Sequence, residues 1–125
     1  QCGAVASRIA HDSHNLIRAG TTDADMVLAG NTVRKNKGGL AFALNGQVVG
    51  ELPLPVAGLM STESAETVEE KLQALKAALK AHGISEDIDA FMTLAFVSLP
   101  VIPKLRLNTY GVVDVDAQQI VPAVF

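Results

Sequence analysis

Gly38-Gly39-Leu40-Ala41-Phe42-Ala43-Leu44-Asn45-Gly46-Gln47-Val48-Val49-Gly50-Glu51-Leu52-Pro53 is the stretch from which the fold can be read. Asn-Gly stands between two apolar, β-favouring runs. A type I′ turn needs positive φ at both central positions, and asparagine and glycine tolerate that best, so residues 40–52 are expected to form a β-hairpin. Leu40, Phe42 and Leu44 alternate with alanine rather than with polar residues, which points to a strand covered on both faces. Pro53 and Pro55 end the second strand, because proline brings no N–H to a ladder.

Helices are expected on either side of this hairpin. Upstream, Thr22 and Asp25 fit a capping box, and Met26, Val27, Ala29 and Val33 give an apolar face as far as about Asn36. Lys35 and Lys37 suit the negative pole of that helix, and Gly38-Gly39 is expected to stop it. Downstream, residues 61–82 carry Ala65, Val68, Leu72, Leu75 and Leu79 at helical spacing. Ser61, Thr62 and Ser64 are candidate N-caps, acids crowd the start, Lys76, Lys80 and His82 crowd the end, and Gly83 is the stop.

The remaining segments are shorter. Residues 4–10 and 15–19 read as small strands, and residues 91–99 as a buried strand or a short buried helix. Pro100 and Pro103 interrupt regular pairing, and short apolar runs follow to the end of the chain. The order is β β α β β α (β or α) β. The expected architecture is an α/β or α+β domain, with a mixed sheet that includes the hairpin and two main helices packed on it. At 125 residues the chain is expected to be one domain.

Composition removes several classes of function. Hydrophobic residues are 49% of the chain and aromatics only 4%, so the core must be aliphatic. For this mass a compact fold would expose roughly 6,000 Å². The net charge is −3 and no basic block is present, which argues against nucleic acid as a partner. No apolar run is long enough to span a bilayer, so no membrane partner is expected. One cysteine, Cys2, excludes an internal disulfide and fits a reducing, cytoplasmic setting. The chain starts at Gln1 without methionine, as a fragment or a processed chain would.

One polar cluster interrupts the apolar N-terminal runs: His11-Asp12-Ser13-His14-Asn15, preceded by Ser7-Arg8-Ile9-Ala10. It holds two of the three histidines. Five consecutive polar residues between two strands are the candidates for chemistry.

The motif Ala10-His11-Asp12-Ser13-His14-Asn15 resembles one in the C-terminal domain of bacterial adenine deaminase, in the amidohydrolase superfamily. The resemblance continues through Gly38-Gly39 and Glu51-Leu52-Pro53-Leu54-Pro55-Val56-Ala57-Gly58-Leu59-Met60-Ser61. It goes on through Phe91-Met92-Thr93-Leu94 with Leu99-Pro100-Val101-Ile102-Pro103, and ends at Gly111-Val112-Val113-Asp114-Val115. Each motif is weak alone, but five in family order span nearly the whole chain.

The resemblance implies a parent enzyme of purine salvage that hydrolyses adenine to hypoxanthine and ammonia, with Mn²⁺ or Fe²⁺ activating water. In the superfamily the metal ligands belong to an upstream (β/α)₈ barrel, so none is expected to be bound by this chain alone. The implied partners are that barrel domain, adenine in the parent enzyme, and further copies in a homo-oligomer.

Three readings of the cluster follow. An independent metal site would use His11 and His14 with Asp12, but a closed site needs about four ligands and only this segment offers any. A contribution to the parent's active-site rim would give His11, Asp12 and His14 accessory catalytic roles, with Ser13 and Asn15 binding substrate. A structural turn would use the same side chains to bond nearby backbone. The loop 58–61 before the second helix suggests an anion cradle less than a simple turn, since four glutamates follow it.

Overall fold

The computed structural model describes residues 3–10, 14–84 and 89–123. The expected hairpin is present as β3 (Gly39–Leu44) and β4 (Gln47–Pro53). Asn45 and Gly46 have φ of 51° and 75°, the positive pair that a type I′ turn requires. One extra residue bulges the edge strand opposite Phe42 and Ala43.

With β1 (Ala4–Ser7) and β2 (Ile17–Gly20) the hairpin builds a four-stranded sheet in the order β2-β1-β3-β4. Every adjacent pair is antiparallel. Helix α1 (Asp23–Lys35) carries the chain from β2 to β3, and those two strands are parallel in direction. They never pair, because β1 lies between them as in a split β-α-β unit. The expected α+β class therefore holds, while the mixed sheet is corrected to an antiparallel one. A β-α-β order gives parallel neighbours only when no earlier strand occupies the place between them.

The alternation along β3 decides the layers. Ala41 and Ala43, with Ala4 and Ala6 opposite them on β1, face α1 and meet Ala29 and Val33. Side chains this small let the helix lie close to the sheet. Leu40, Phe42 and Leu52 face the other way, onto α2 (Ala65–Ala81) and α3 (Ala90–Val97). Leu75, Leu79 and Phe91 close that side, and Leu75 sits directly over Gly50.

Helix ends follow from local chemistry. Thr22 caps α1 as expected, and Ser64 caps α2 by accepting from the Thr67 N–H at 3.3 Å. Helix α2 therefore starts at Ala65, after Ser61 and Thr62. Helix α1 ends in a Schellman arrangement, with Gly38 N–H on the Val33 carbonyl at 2.9 Å and Lys37 N–H on Arg34 at 3.1 Å. The left-handed residue is Lys37 (φ 59°), one position before the expected glycine stop.

Residues 90–97 resolve as a helix. Asp89 accepts from the N–H groups of Phe91 and Met92, and Phe91, Leu94 and Ala95 share the buried side. The last segments pair as a separate antiparallel sheet, β5 (Leu105–Asn108), β6 (Gly111–Asp114) and β7 (Gln119–Val121).

Candidate functional site

The candidate segment leaves the sheet at the end of β1. Ser7 is buried, and its hydroxyl accepts from the Ile9 N–H at 3.0 Å. Arg8 N–H donates to the Gly39 carbonyl at 3.0 Å, and Ala10 is fully buried. These contacts fix the chain up to the polar residues. His11, Asp12 and Ser13 lie outside the described residues. The chain returns at His14, whose N–H donates to the Ala10 carbonyl at 2.8 Å and whose φ is 49°. That left-handed turn leads through Asn15 and Leu16 into β2.

His14 and Asn15 are exposed and line one cleft together with Arg8, Leu16, Val33 and Arg34. Its volume is about 200 Å³. Its apolar lining is the buried Val33 and the exposed Leu16. Arg34 comes from the last turn of α1. The Arg8 side chain crosses Gly58, where a Cβ would stand 2.8 Å from Cδ and 2.9 Å from Nε. Among the described residues the lining holds two guanidiniums, an imidazole and an amide, but no carboxylate. Arg18 lies nearby over Gly30 of the same helix, beside Leu16. Three of the chain's four arginines thus gather on one side of a molecule with net charge −3.

Arg8 and Arg34 were not among the sequence candidates. Arg8 stands just before the polar segment, which was its only signal. Arg34 is one of several cations at a helix C-terminus, where the dipole already accounts for positive charge.

The described residues do not make a metal donor set. No group of three or more His, Cys, Asp or Glu converges among them. His82 instead packs against the Phe42 ring, with centroids 5.8 Å apart. Asp25 is also structural. It accepts from Gly46 N–H at 2.8 Å and from the Thr22 hydroxyl at 3.0 Å, tying α1 to the hairpin turn. The Gly46 hydrogen bond, against the cost of burial and with help from Thr22 and Asn45, holds its carboxyl below the usual aspartate range. The 56–60 loop closes on itself through paired Val56 and Met60 backbone bonds, so the simple turn is what is found there.

A sequence profile of the adenine deaminase C-terminal domain matches residues 1–119. The chain belongs to this family. Relatives named adenine deaminase include one from Kosmotoga olearia, 54% identical over 113 residues, covering 90% of this chain and 19% of that protein. Adenine deaminase 2 of Carboxydothermus hydrogenoformans is 50% identical over 120 residues, covering 96% of this chain and 21% of its own length. The Bacillus velezensis adenine deaminase is 45% identical over the same span and coverage. The chain thus spans about a fifth of the length of these relatives.

In this adenine deaminase C-terminal domain two of the glycine motifs have a direct packing reason. A Cβ on Gly38 would fall 2.2 Å from the Gly58 Cα, and a Cβ on Gly58 would displace Arg8. The two loops touch through their backbones, and the arginine is laid across that contact. No helix among the described residues is long and apolar enough to cross a membrane.

Proposed function

We propose that this chain serves as the C-terminal domain of a metal-dependent adenine deaminase, which converts adenine and water to hypoxanthine and ammonia. Family membership over residues 1–119, joined to a length about one fifth of the matching adenine deaminases, carries the reading. The catalytic metal, Mn or Fe, belongs to a barrel domain of the larger enzyme, as the resemblance to the adenine deaminase family implies. The domain alone is inactive. Residues 11–15 contribute to the rim of the active site, and His14 and Asn15 support this by presenting their side chains in a cleft rather than in the core. There a histidine can relay a proton and an asparagine can hydrogen-bond a purine edge. The enzyme acts in the cytoplasm, in purine salvage.

The isolated chain should show no turnover of adenine with Mn²⁺; a rate near that of a complete enzyme would overturn the proposal. In a full-length enzyme, alanine at His11, Asp12 or His14 should lower kcat and leave the melting temperature unchanged.

A second reading, a module that packs on the barrel or builds a homo-oligomer, is favoured by one observation. Met92, Val101, Leu105, Leu107 and Ile120 are all exposed. Under that reading the same alanine variants lower stability or assembly instead.

A further inference from the structure

We infer that the cleft between Arg8 and Arg34 is an oxyanion site, taking one phosphate or carboxylate group of a small ligand. Two observations and the chemistry of arginine converge on it. The lining is cationic and polar, with Arg8, Arg34, His14 and Asn15 as donors and no carboxylate among its described residues. Guanidinium groups present paired N–H donors whose geometry matches carboxylate and phosphate oxygens. The Arg8 side chain lies against Gly58, with its Cδ and Nε in space that a Cβ there would contest.

Size sets the class of ligand. Clefts for drug-sized molecules run from about 300 Å³ upward, and this one is about 200 Å³. It suits a single anionic group, with the exposed Leu16 available to a small apolar body attached to it. Adenine is neutral: its ring nitrogens can accept from a guanidinium but leave both positive charges unmatched, so the inferred oxyanion is a ligand additional to any purine whose edge Asn15 meets at the rim. The inference does not rest on the deaminase reading, and its test involves no turnover.

The test is an NMR titration of the chain with inorganic phosphate, following arginine Nε–H signals at constant ionic strength. Arg106 is the internal control, because its guanidinium already donates to the Pro103 and Leu105 carbonyls. Saturable shifts at Arg8 and Arg34, with none at Arg106, are expected, with a Kd on the order of 1 mM or tighter. Arg34→Gln should weaken binding at least about tenfold. Its exposed helix-end position makes it the safer variant, while Arg8→Gln tests the other guanidinium provided its amide spectrum stays dispersed. A parallel titration with acetate distinguishes a carboxylate preference from a phosphate preference. Linear, non-saturating shifts of equal size at all three arginines, with either anion, would mean general screening and would overturn the inference. So would saturable binding that both glutamine variants retain.

Discussion

Leu75 and Gly50 form a pair whose energetics can be worked out from their contact. Leu75 is 1% exposed and covers the glycine in β4. In Leu75→Ala the three lost carbons are worth about 2.4 kcal/mol at about 0.8 kcal/mol each. The glycine beneath has no side chain to fill the hole, so a cavity term brings the total to about 3.5 kcal/mol. For a domain this size that is a fall in Tm of roughly 10–15 °C.

Gly50→Ala fails for the opposite reason. Its new Cβ would stand 2.7 Å from Leu75 Cδ1, and a fully buried leucine has little room to move. Overpacking of this kind costs about 1–3 kcal/mol. In the Leu75→Ala background the same alanine enters free space and should be neutral, or restore about 0.5 kcal/mol through the stiffer unfolded chain. Urea unfolding of the four proteins, followed by circular dichroism, gives the coupling energy. A value of about 1.5 kcal/mol or more is expected, and additivity within about 0.5 kcal/mol would refute the packing argument.

Lys37→Gly should stabilise the chain by several tenths of a kcal/mol to about 1 kcal/mol, because lysine holds a left-handed φ of 59° at an exposed helix stop; a lower urea midpoint would contradict it. Ser64→Ala should cost about 1 kcal/mol by removing the α2 cap, read by the same unfolding assay, and an unchanged midpoint would remove the cap from the account. Asp25 has a folded pKa below its unfolded value, so its contribution is fully present above the ordinary aspartate value near 3.9 and is lost as pH falls through the lower folded value. Asp25→Asn keeps an acceptor for Gly46 but removes the titration; its stability should fall less steeply below about pH 4 than the parent's, and parallel acid curves would contradict the assignment.

Much of the architecture is legible in local chemistry. The Asn45-Gly46 turn, the Thr22 cap, the α2 stripe and the Gly83 stop all depend on residues within a few positions of one another. The run 90–97 is less legible. Its residues are apolar on nearly every side, which hides the period of three and four that Phe91, Leu94 and Ala95 follow. The Asp89 cap is the sequence signal that settles it, and it stands at the end of the acidic run Glu86-Asp87-Ile88-Asp89. The Lys37 stop is hidden differently, since two glycines follow it and draw the boundary to themselves.

The candidate site is legible only in part. His14 and Asn15 stand out by composition, and the structure places both in a cleft. Arg8 and Arg34 are 26 positions apart, and no pattern joins them. They meet because Arg8 follows β1, the strand that splits the β-α-β unit, while α1 brings Arg34 back across that strand.

Sequence alone determined the hairpin, the two long helices, the aliphatic core and, through ordered motifs, the family. Each of these is written in adjacent or periodic residues, where side-chain spacing and backbone preference act directly. Only the tertiary structure decided that β1 would stand between β2 and β3, making the sheet antiparallel and collecting the cations in one cleft. Strand order depends on which distant faces bury best together: here the alanines of β1 and β3 match the small residues of α1.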